Sequence, residues 1–271
     1  MGRDAVGRLD GKVAIVTGAA RGTGEAIARL FVEEGARVVL GDVRDDAGEA
    51  VAKSLGDGAA YRHLDVSEPG DWAAAVADTV ARFGGLDVLV NNAAVLKIAS
   101  IEETSAEDLT RLFRVNQLGP FLGIQAVAPV MRERGGGAIV NIASSDGVKG
   151  MNGVVGYAST KWGVRGVTKA AAMELAKSRI RVNAICPEAG NPDMSAPFLP
   201  EGVDPTFAAE YNADQLLLAP EGYRMTDRVM DVARATVFLA SDECPTATAT
   251  DFVIDGGLTA GYLQAGLPGA K

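Results

Sequence analysis

Short apolar runs rich in β-branched residues alternate with longer amphipathic stretches along most of the 271-residue chain, and this alternation restricts the fold more than any other feature. The runs at 12–17, 37–40, 59–64, 86–90, 138–142, 180–185 and 251–254 are typical of buried parallel strands. The stretches at 25–34, 45–55, 68–83, 106–134, 157–177 and 229–240 have helical spacing. Because strands joined by helices form right-handed crossovers, we predict one α/β domain over residues 1–271, with helices on both faces of a parallel sheet.

The stretch from residue 187 to 230 interrupts this alternation. It contains six prolines and little clean periodicity. Long loops in compact domains are usually functional, so we predict a lid at about residues 188–228. Its apolar residues either form a hydrophobic substrate pocket or pack against one another; they are Met194, Phe198, Leu199, Phe207 and Tyr211.

Charge and composition exclude several classes of protein. The net charge of −9 argues against nucleic-acid binding, which requires a basic surface. We find no apolar leader at 1–10 and no run of roughly 18 uncharged apolar residues, so we expect a cytoplasmic protein without a membrane contact. His63 is the only histidine, and neither Cys186 nor Cys244 has metal-site spacing, so we expect no metal.

A glycine-rich turn, TGAARGTG at 17–24, directly follows the first predicted strand and opens the first predicted helix. Glycines let the backbone approach a pyrophosphate, and the N–H groups and positive dipole of a helix N-terminus favour the anion. The motif requires this strand–turn–helix context. We therefore predict a nucleotide-phosphate site formed by Gly18, Arg21, Gly22, Thr23 and Gly24.

The second predicted strand is followed by Asp42, about 20 residues beyond the glycines. An acidic residue at this distance can accept hydrogen bonds from the adenosine ribose hydroxyls. Since its charge repels a 2′-phosphate, Asp42 favours NAD over NADP. Arg21 and Arg44 support the opposite choice, because either could bind that phosphate.

Polar residues also follow the third and fourth predicted strands. Asp65 either meets the adenine amino group or caps the next helix, and Val66 can form an apolar wall beside the base. Asn92 and Ala93 end the fourth strand, where we expect them to shape the cofactor groove.

Tyr157 and Lys161 lie four residues apart, which places them on one face of a helix. A phenol has a pKa near 10, and a neighbouring ammonium group favours the phenolate. We therefore predict that Lys161 lowers the pKa of Tyr157, which then acts as a general acid and base on an alcohol.

Two serines and one asparagine complete the candidate site. Ser144 and Ser145 both follow the fifth predicted strand, and either hydroxyl could hold a substrate oxygen beside Tyr157. Asn116 lies inside a predicted helix, where a buried amide is unfavourable unless it is paired. It either kinks the helix and holds a water or is satisfied by a nearby backbone group.

Together these motifs resemble the short-chain dehydrogenase/reductase family over essentially the whole chain. The shared features are TGAARGTG at 17–24, Asp42, Asp65-Val66, NNA at 91–93, Asn116, VNIASS at 140–145, Tyr157 with Lys161, and IDGG at 254–257. The stretches YRHLDVSEPGDW at 61–72 and YASTKWGVRGVTKAAAMEL at 157–175 are most similar to bacterial hydroxysteroid dehydrogenases of the 3α/20β type.

The resemblance implies a single-domain Rossmann fold with a seven-stranded parallel sheet, usually assembled as a homotetramer. It implies NAD-dependent hydride transfer between nicotinamide and a secondary alcohol or ketone. It also selects Ser144 over Ser145 for a catalytic tetrad with Asn116, Tyr157 and Lys161, in which Asn116 holds a water of a proton relay. The expected cofactor site further contains Val43, Ala94, Val115, Tyr157, Lys161, Pro187 and Glu188, and the expected substrate site contains Ser144, Asp146, Tyr157, Glu188 and Met194.

The chain departs from the family pattern after the sixth predicted strand. Glu188 replaces a glycine, and Pro192 stands where a threonine contacts the nicotinamide. Glu188 either points at the substrate or faces solvent. We expect a hydroxysteroid or another cyclic alcohol as the substrate. The alternatives are a small diol, a sugar or an acyl-thioester ketone, or a protein that senses NAD without catalysis.

Overall fold

The computed structural model describes residues 7–188, 194, 196–198, 216–264, 266 and 268. Its seven strands form one sheet in the order β3-β2-β1-β4-β5-β6-β7, and every neighbouring pair is parallel. The predicted seven-stranded sheet is therefore confirmed. The strands are β1 (Val13–Thr17), β2 (Arg37–Asp42), β3 (Ala59–His63), β4 (Val88–Asn91), β5 (Gly137–Ile142), β6 (Ile180–Pro187) and β7 (Asp251–Ile254).

Helices connect the strands as the alternation predicts, with one difference. The predicted helix at 106–134 is interrupted by a π-helical turn, Arg114–Leu118, which separates two α-helices. The long helix predicted at 157–177 begins two residues earlier. The helices are α1 (Gly22–Glu33), α2 (Asp45–Leu55), α3 (Pro69–Phe83), α4 (Ala106–Phe113), α5 (Gly119–Glu133), α6 (Val155–Leu175) and α7 (Met225–Ala240).

Two apolar layers fill the space between the sheet and the helices. Side chains alternate across a strand, so the neighbours Ile15 and Val16 belong to different layers. On one face, Val16 packs in a cluster with Phe31 of α1 and residues of α7, and on the other, Ile15 belongs to a cluster with Trp72 of α3. Each fully buried side chain of this size contributes roughly 1.5–3 kcal/mol by burial.

The strand order reverses beside β1, which lies between β2 and β4. Ligands of open parallel sheets bind at such a reversal, in the crevice at the carboxyl ends of the strands. The loops after β1, β2, β4, β5 and β6 all open at this edge, so the fold gathers the candidate residues there.

Most of the predicted lid at 188–228 lies outside the described residues, and the lid stays a prediction. Met194 and Phe198 are half-buried, whereas Leu199, Phe207 and Tyr211 lie outside the described residues. In the part of the chain that the structure covers, no helix combines the length and apolar character needed to cross a membrane.

Candidate active site

The glycine-rich turn between β1 and α1, residues 17–24, is closely packed, and we name it the anion cradle after its expected role. Gly18 has a φ of 64°, and a Cβ at this position would lie 2.8 Å from the Cα of Ala93. A Cβ on Gly24 would lie 2.1 Å from the carbonyl oxygen of Gly18. Arg21 is the N-cap residue of α1, and an arginine side chain has no acceptor atom with which to cap a helix. Its side chain therefore does not cap the N–H groups of the first turn, which include those of Gly22 and Thr23. These features fit the phosphates of a dinucleotide.

Asn92 ties the end of β4 to this turn, as predicted for a residue that shapes the groove. Its side-chain amide donates to the carbonyl oxygens of Thr17 (2.9 Å) and Gly18 (3.2 Å). The Thr17 hydroxyl oxygen accepts in return from the backbone N–H groups of Asn92 (3.0 Å) and Ala93 (3.1 Å). This role of Thr17 was not predicted, although Thr17 is the first residue of the TGAARGTG motif. The neighbouring Ala94 is half-buried at the same edge.

Asp42 ends β2 and connects the loop that follows this strand to the glycine-rich turn. One carboxylate oxygen accepts the N–H of Ala20 in the glycine-rich turn (3.0 Å), and the other accepts the N–H of Arg44 (3.0 Å). The carboxylate therefore lies beside the anion cradle, where a ribose contact requires it. The adjacent Val43 is exposed.

Asp65 and Val66 form a turn after β3. The Asp65 carboxylate accepts the backbone N–H (2.9 Å) and the hydroxyl (2.8 Å) of Ser67. The N-cap residue of α3 is Glu68, so the alternative that Asp65 caps this helix is wrong. Val66 is buried against the start of α5, and Val115 is half-buried nearby. An adenine contact by these residues stays a prediction.

Asn116 lies at the centre of the π-helical turn and is buried. Its side-chain oxygen accepts the N–H of Val95 (2.8 Å), and its amide donates to the Val95 carbonyl (2.9 Å) and to the Thr160 hydroxyl (3.2 Å). The alternative of an amide satisfied by a nearby backbone group is therefore confirmed. Such π turns are frequent at functional sites.

Ser144, Tyr157 and Lys161 meet where β5 ends and α6 begins. The Ser144 hydroxyl lies near the Tyr157 phenol, close enough to act on its pKa. Lys161 is 3% exposed, lies 5.6 Å from the centre of the Tyr157 ring, and donates to the Ile142 carbonyl (2.7 Å). The structure thus places the four predicted tetrad residues around one end of α6, with Asn116 linked through Thr160.

The expected pKa shift of Tyr157 has the wrong sign. Burial, together with the negative charge of Asp146, raises the pKa of Tyr157 above its ordinary value, and the nearby Ser144 hydroxyl opposes this rise only in part. Burial also lowers the pKa of Lys161 to about 8. The Lys161 ammonium donates to Ile142 and does not stabilise a phenolate, so desolvation decides the state of Tyr157.

Asp146, a predicted substrate residue, contacts Ser144. The Asp146 backbone N–H donates to the Ser144 hydroxyl oxygen (3.1 Å), and that hydroxyl is 3.4 Å from the Asp146 carboxylate. Burial raises the pKa of Asp146. Asp146 therefore brings an acidic group to the serine that faces Tyr157.

Glu188 does not face solvent. It follows Pro187 at the end of β6 and forms an ion pair with Arg228 of α7, with 2.8 Å between Oε2 and Nη1. Both side chains are 6% exposed. The alternative that Glu188 faces solvent is therefore wrong, and a substrate contact by its side chain stays a prediction. No local pattern indicates Arg228 as its partner, because 40 residues separate them.

Comparisons with known proteins agree with this geometry. The family model of the short chain dehydrogenases matches residues 12–201. The chain is 45% identical over 258 residues to the 3-alpha-(or 20-beta)-hydroxysteroid dehydrogenase of Mycobacterium tuberculosis, covering 95% of this chain and 93% of that protein. It is 37% identical to the trans-4-hydroxycyclohexanecarboxylate dehydrogenase of Sinomonas cyclohexanicum, and the match covers 94% of this chain and 95% of that protein.

A solved structure from Burkholderia xenovorans, described as a short-chain dehydrogenase/reductase, superposes with a TM-score of 0.86. Its sequence is 33% identical to this chain, and the match covers 95% of this chain and 100% of that structure's chain. The resemblance inferred from the motifs is confirmed, including the similarity to hydroxysteroid dehydrogenases of the 3α/20β type. The chain belongs to the short-chain dehydrogenase family and is an oxidoreductase of the alcohol dehydrogenase and ketoreductase kind.

Proposed function

We propose that the protein transfers a hydride between NAD and a secondary alcohol or ketone, with Tyr157 as the general acid and base. One observation carries the proposal. Tyr157 lies near the Ser144 hydroxyl and 5.6 Å from the buried Lys161 ammonium, measured from its ring centre, at the same sheet edge as the glycine-rich anion cradle. A phenol, a hydroxyl and an amine at this edge are suited to proton transfer beside a bound dinucleotide.

Residues along the sheet edge would hold NAD, which accepts or returns a hydride when it is bound. The cradle from Gly18 to Gly24 would bind the pyrophosphate, and Asp42 the adenosine ribose. Asp65 and Val66 would border the adenine, and Lys161 would bind the nicotinamide ribose. Asp42 favours NAD over NADP because its carboxylate repels a 2′-phosphate.

Ser144 would hold the substrate oxygen, and Tyr157 would exchange a proton with it. In ketone reduction, Tyr157 donates its phenolic proton to the carbonyl oxygen as the carbon receives the hydride. In alcohol oxidation, the phenolate takes the hydroxyl proton as the carbon loses the hydride. Because the pKa of Tyr157 is raised, the protonated form that serves reduction dominates at neutral pH. Lys161, with a pKa lowered to about 8, would exchange protons toward Asn116.

The relatives support a ring-bearing substrate. One acts by name on 3α- or 20β-hydroxysteroids and the other on a hydroxycyclohexane carboxylate, so both names describe a secondary alcohol on a molecule that contains an aliphatic ring. We therefore propose a hydroxysteroid or another cyclic secondary alcohol as the substrate of this enzyme.

The test is a substrate screen followed by NADH absorbance. We expect turnover with NAD on a hydroxysteroid or a substituted cyclohexanol, and weaker turnover on a small diol, a sugar or an acyl-thioester ketone. Tight NAD binding without turnover on any compound would instead support a sensor.

Tyr157→Phe decides the role of the phenol. We expect the loss of turnover by at least about 10²-fold, the contribution of a general acid or base, with NAD binding nearly unchanged. Tyr262→Phe is the matched control, since Tyr262 is 86% exposed. Appreciable turnover by the Tyr157 variant would remove Tyr157 from the acid–base role.

We further propose a cytoplasmic homotetramer. Apolar side chains are exposed on three helices that pack together, namely Leu109 and Phe113 of α4, Phe121 of α5 and Trp162 of α6. Exposed apolar surface of this kind favours contact with other protein subunits. Light scattering coupled to size-exclusion chromatography should give four times the 28.0 kDa mass of one chain.

A further inference from the structure

We infer that Arg228 is a positioning residue that sets the turn at Pro187 and Glu188 against the nicotinamide end of the cofactor. The inference rests on the proposed function and deepens it. It assigns a role in cofactor binding to a helix residue that is 40 positions from the turn and need not touch the cofactor.

The carboxylate of Glu188 and the guanidinium of Arg228 form a desolvated contact. Each side chain is 94% buried, and one Arg228 nitrogen lies 2.8 Å from the carboxylate. A buried charge without its partner is strongly unfavourable, so each group requires the other. The backbone N–H of Glu188 also donates to the Ile254 carbonyl (3.0 Å), which fixes the turn to β7.

Arg228 is itself held from the opposite side. Its guanidinium lies over the Tyr223 ring, 5.8 Å from the ring centre. The Tyr223 hydroxyl donates to the carboxylate of Asp231, one turn further along α7. Tyr223 and Glu188 both restrict the Arg228 side chain. The ion pair therefore fixes the end of β6 relative to α7.

The turn adjoins the catalytic serine. The backbone N–H of Ala143, the residue before Ser144, donates to the carbonyl of Ile185 (2.7 Å), three residues before Glu188. The anion cradle and Asp42 follow β1 and β2, whereas Ser144 and Glu188 follow β5 and β6. A dinucleotide laid along this edge would therefore place its phosphates and adenosine away from the ion pair and its nicotinamide beside it.

This geometry predicts a ligand-selective effect. Arg228→Met removes the charge that Glu188 requires, so the turn should shift and the Kd of NAD should rise about tenfold. ADP-ribose, which lacks the nicotinamide, should bind within about twofold of the parent protein, because the ion pair lies at the other end of the site. Titration calorimetry on the full chain measures both constants without any substrate.

Two further variants distinguish a positioning role of Arg228 from a general loss of folded structure. Glu188→Gln combined with Arg228→Met removes both charges, and we expect it to recover most of the NAD affinity that Arg228→Met loses. Arg234→Met is the matched control, since Arg234 belongs to the same helix but is 63% exposed, and it should change neither constant.

The outcomes are distinct. Equal weakening of NAD and ADP-ribose, or no weakening of either, would overturn the inference. If Arg228→Met does not fold, Glu188→Gln alone decides: selective weakening of NAD supports the inference, and unchanged NAD binding contradicts it. A parent protein that binds no NAD would overturn the proposed function and, with it, this inference.

Discussion

Asp146 is the residue whose charge acts most directly on Tyr157. Its carboxylate repels the phenolate and raises the pKa of Tyr157, while Lys149 and Ser144 are the groups that stabilise the carboxylate itself. Under the proposed mechanism, this repulsion favours the protonated phenol and slows alcohol oxidation at neutral pH.

Asp146→Asn should therefore shift the pH dependence of oxidation. The substitution removes the negative charge at nearly constant size, so the pKa of Tyr157 should fall from the value that burial and Asp146 together impose. Because oxidation requires the phenolate, the rising limb of kcat/KM should move to lower pH by the same amount. Asp78→Asn, in an exposed ion pair with Arg62, is the control. An unshifted limb would show that Asp146 does not act on Tyr157.

Asp42 accepts two backbone hydrogen bonds, and in the proposed function its carboxylate also binds the ribose. Asp42→Ala should narrow the preference for NAD over NADP by about tenfold, which corresponds to about 1.5 kcal/mol for a charge-assisted hydrogen bond. The ratio of kcat/KM with NAD to kcat/KM with NADP, compared between the variant and the parent enzyme, measures this change in preference. Asp42→Asn, which keeps one acceptor, separates charge from loop support. Equal use of NADP by the parent enzyme would contradict the role of Asp42.

At the scale of elements, the π-helical turn Arg114–Leu118 joins α4 to α5 and reaches α6. Asn116 connects the Val95 backbone to Thr160, the residue before Lys161. The turn therefore supports the active-site end of α6 as well as breaking the helix in which it lies.

Asn116→Ala should weaken this support. The Val95 N–H and carbonyl lose their partner, and we expect a loss of about 2 kcal/mol in the free energy of unfolding. Urea denaturation measures this change. Asn152→Ala, at an exposed loop position, should change stability little. Similar stability of the two variants would mean that other groups replace the Asn116 amide.

At the scale of the whole molecule, Asp251 connects the last strand to α6. Its carboxylate lies 2.9 Å from Arg165 and 2.8 Å from Lys169. Burial alone would raise the pKa of Asp251, but the hydrogen bonds from both cations outweigh it and lower the pKa overall. A lowered folded-state pKa means that this stabilisation is complete above the ordinary value near 4 and is lost as pH falls through the lowered value.

Asp251→Asn should therefore destabilise the protein in a pH-dependent manner. At pH 7 we expect a loss of about 2 kcal/mol, because two partly buried cations lose their anion. The difference from the parent should shrink in acid, where the parent carboxylate is protonated as well. Urea denaturation at pH 7 and below pH 4 tests this. Asp242→Asn, with an 84% exposed side chain, is the control. A pH-independent difference would assign the effect to packing.

The sequence by itself determined the seven strands and the residues gathered at their carboxyl ends. Strand and helix periodicity are local properties, and the glycine-rich turn, Asp42 and Tyr157 with Lys161 follow elements that this periodicity places. The right-handed connection of parallel strands then brings their carboxyl ends to one edge. The tetrad residues could therefore be named before the structure, with Ser144 chosen by family resemblance.

Only the tertiary structure decided the electrostatic state of these residues. Desolvation raises the pKa of Tyr157, which overturns the expectation based on its neighbour Lys161. Glu188 forms an ion pair with Arg228, which lies on a different element. The amide of Asn116 pairs with Val95 and Thr160 across a π turn. Burial and charge pairing depend on groups distant in the chain, so no local pattern contains them.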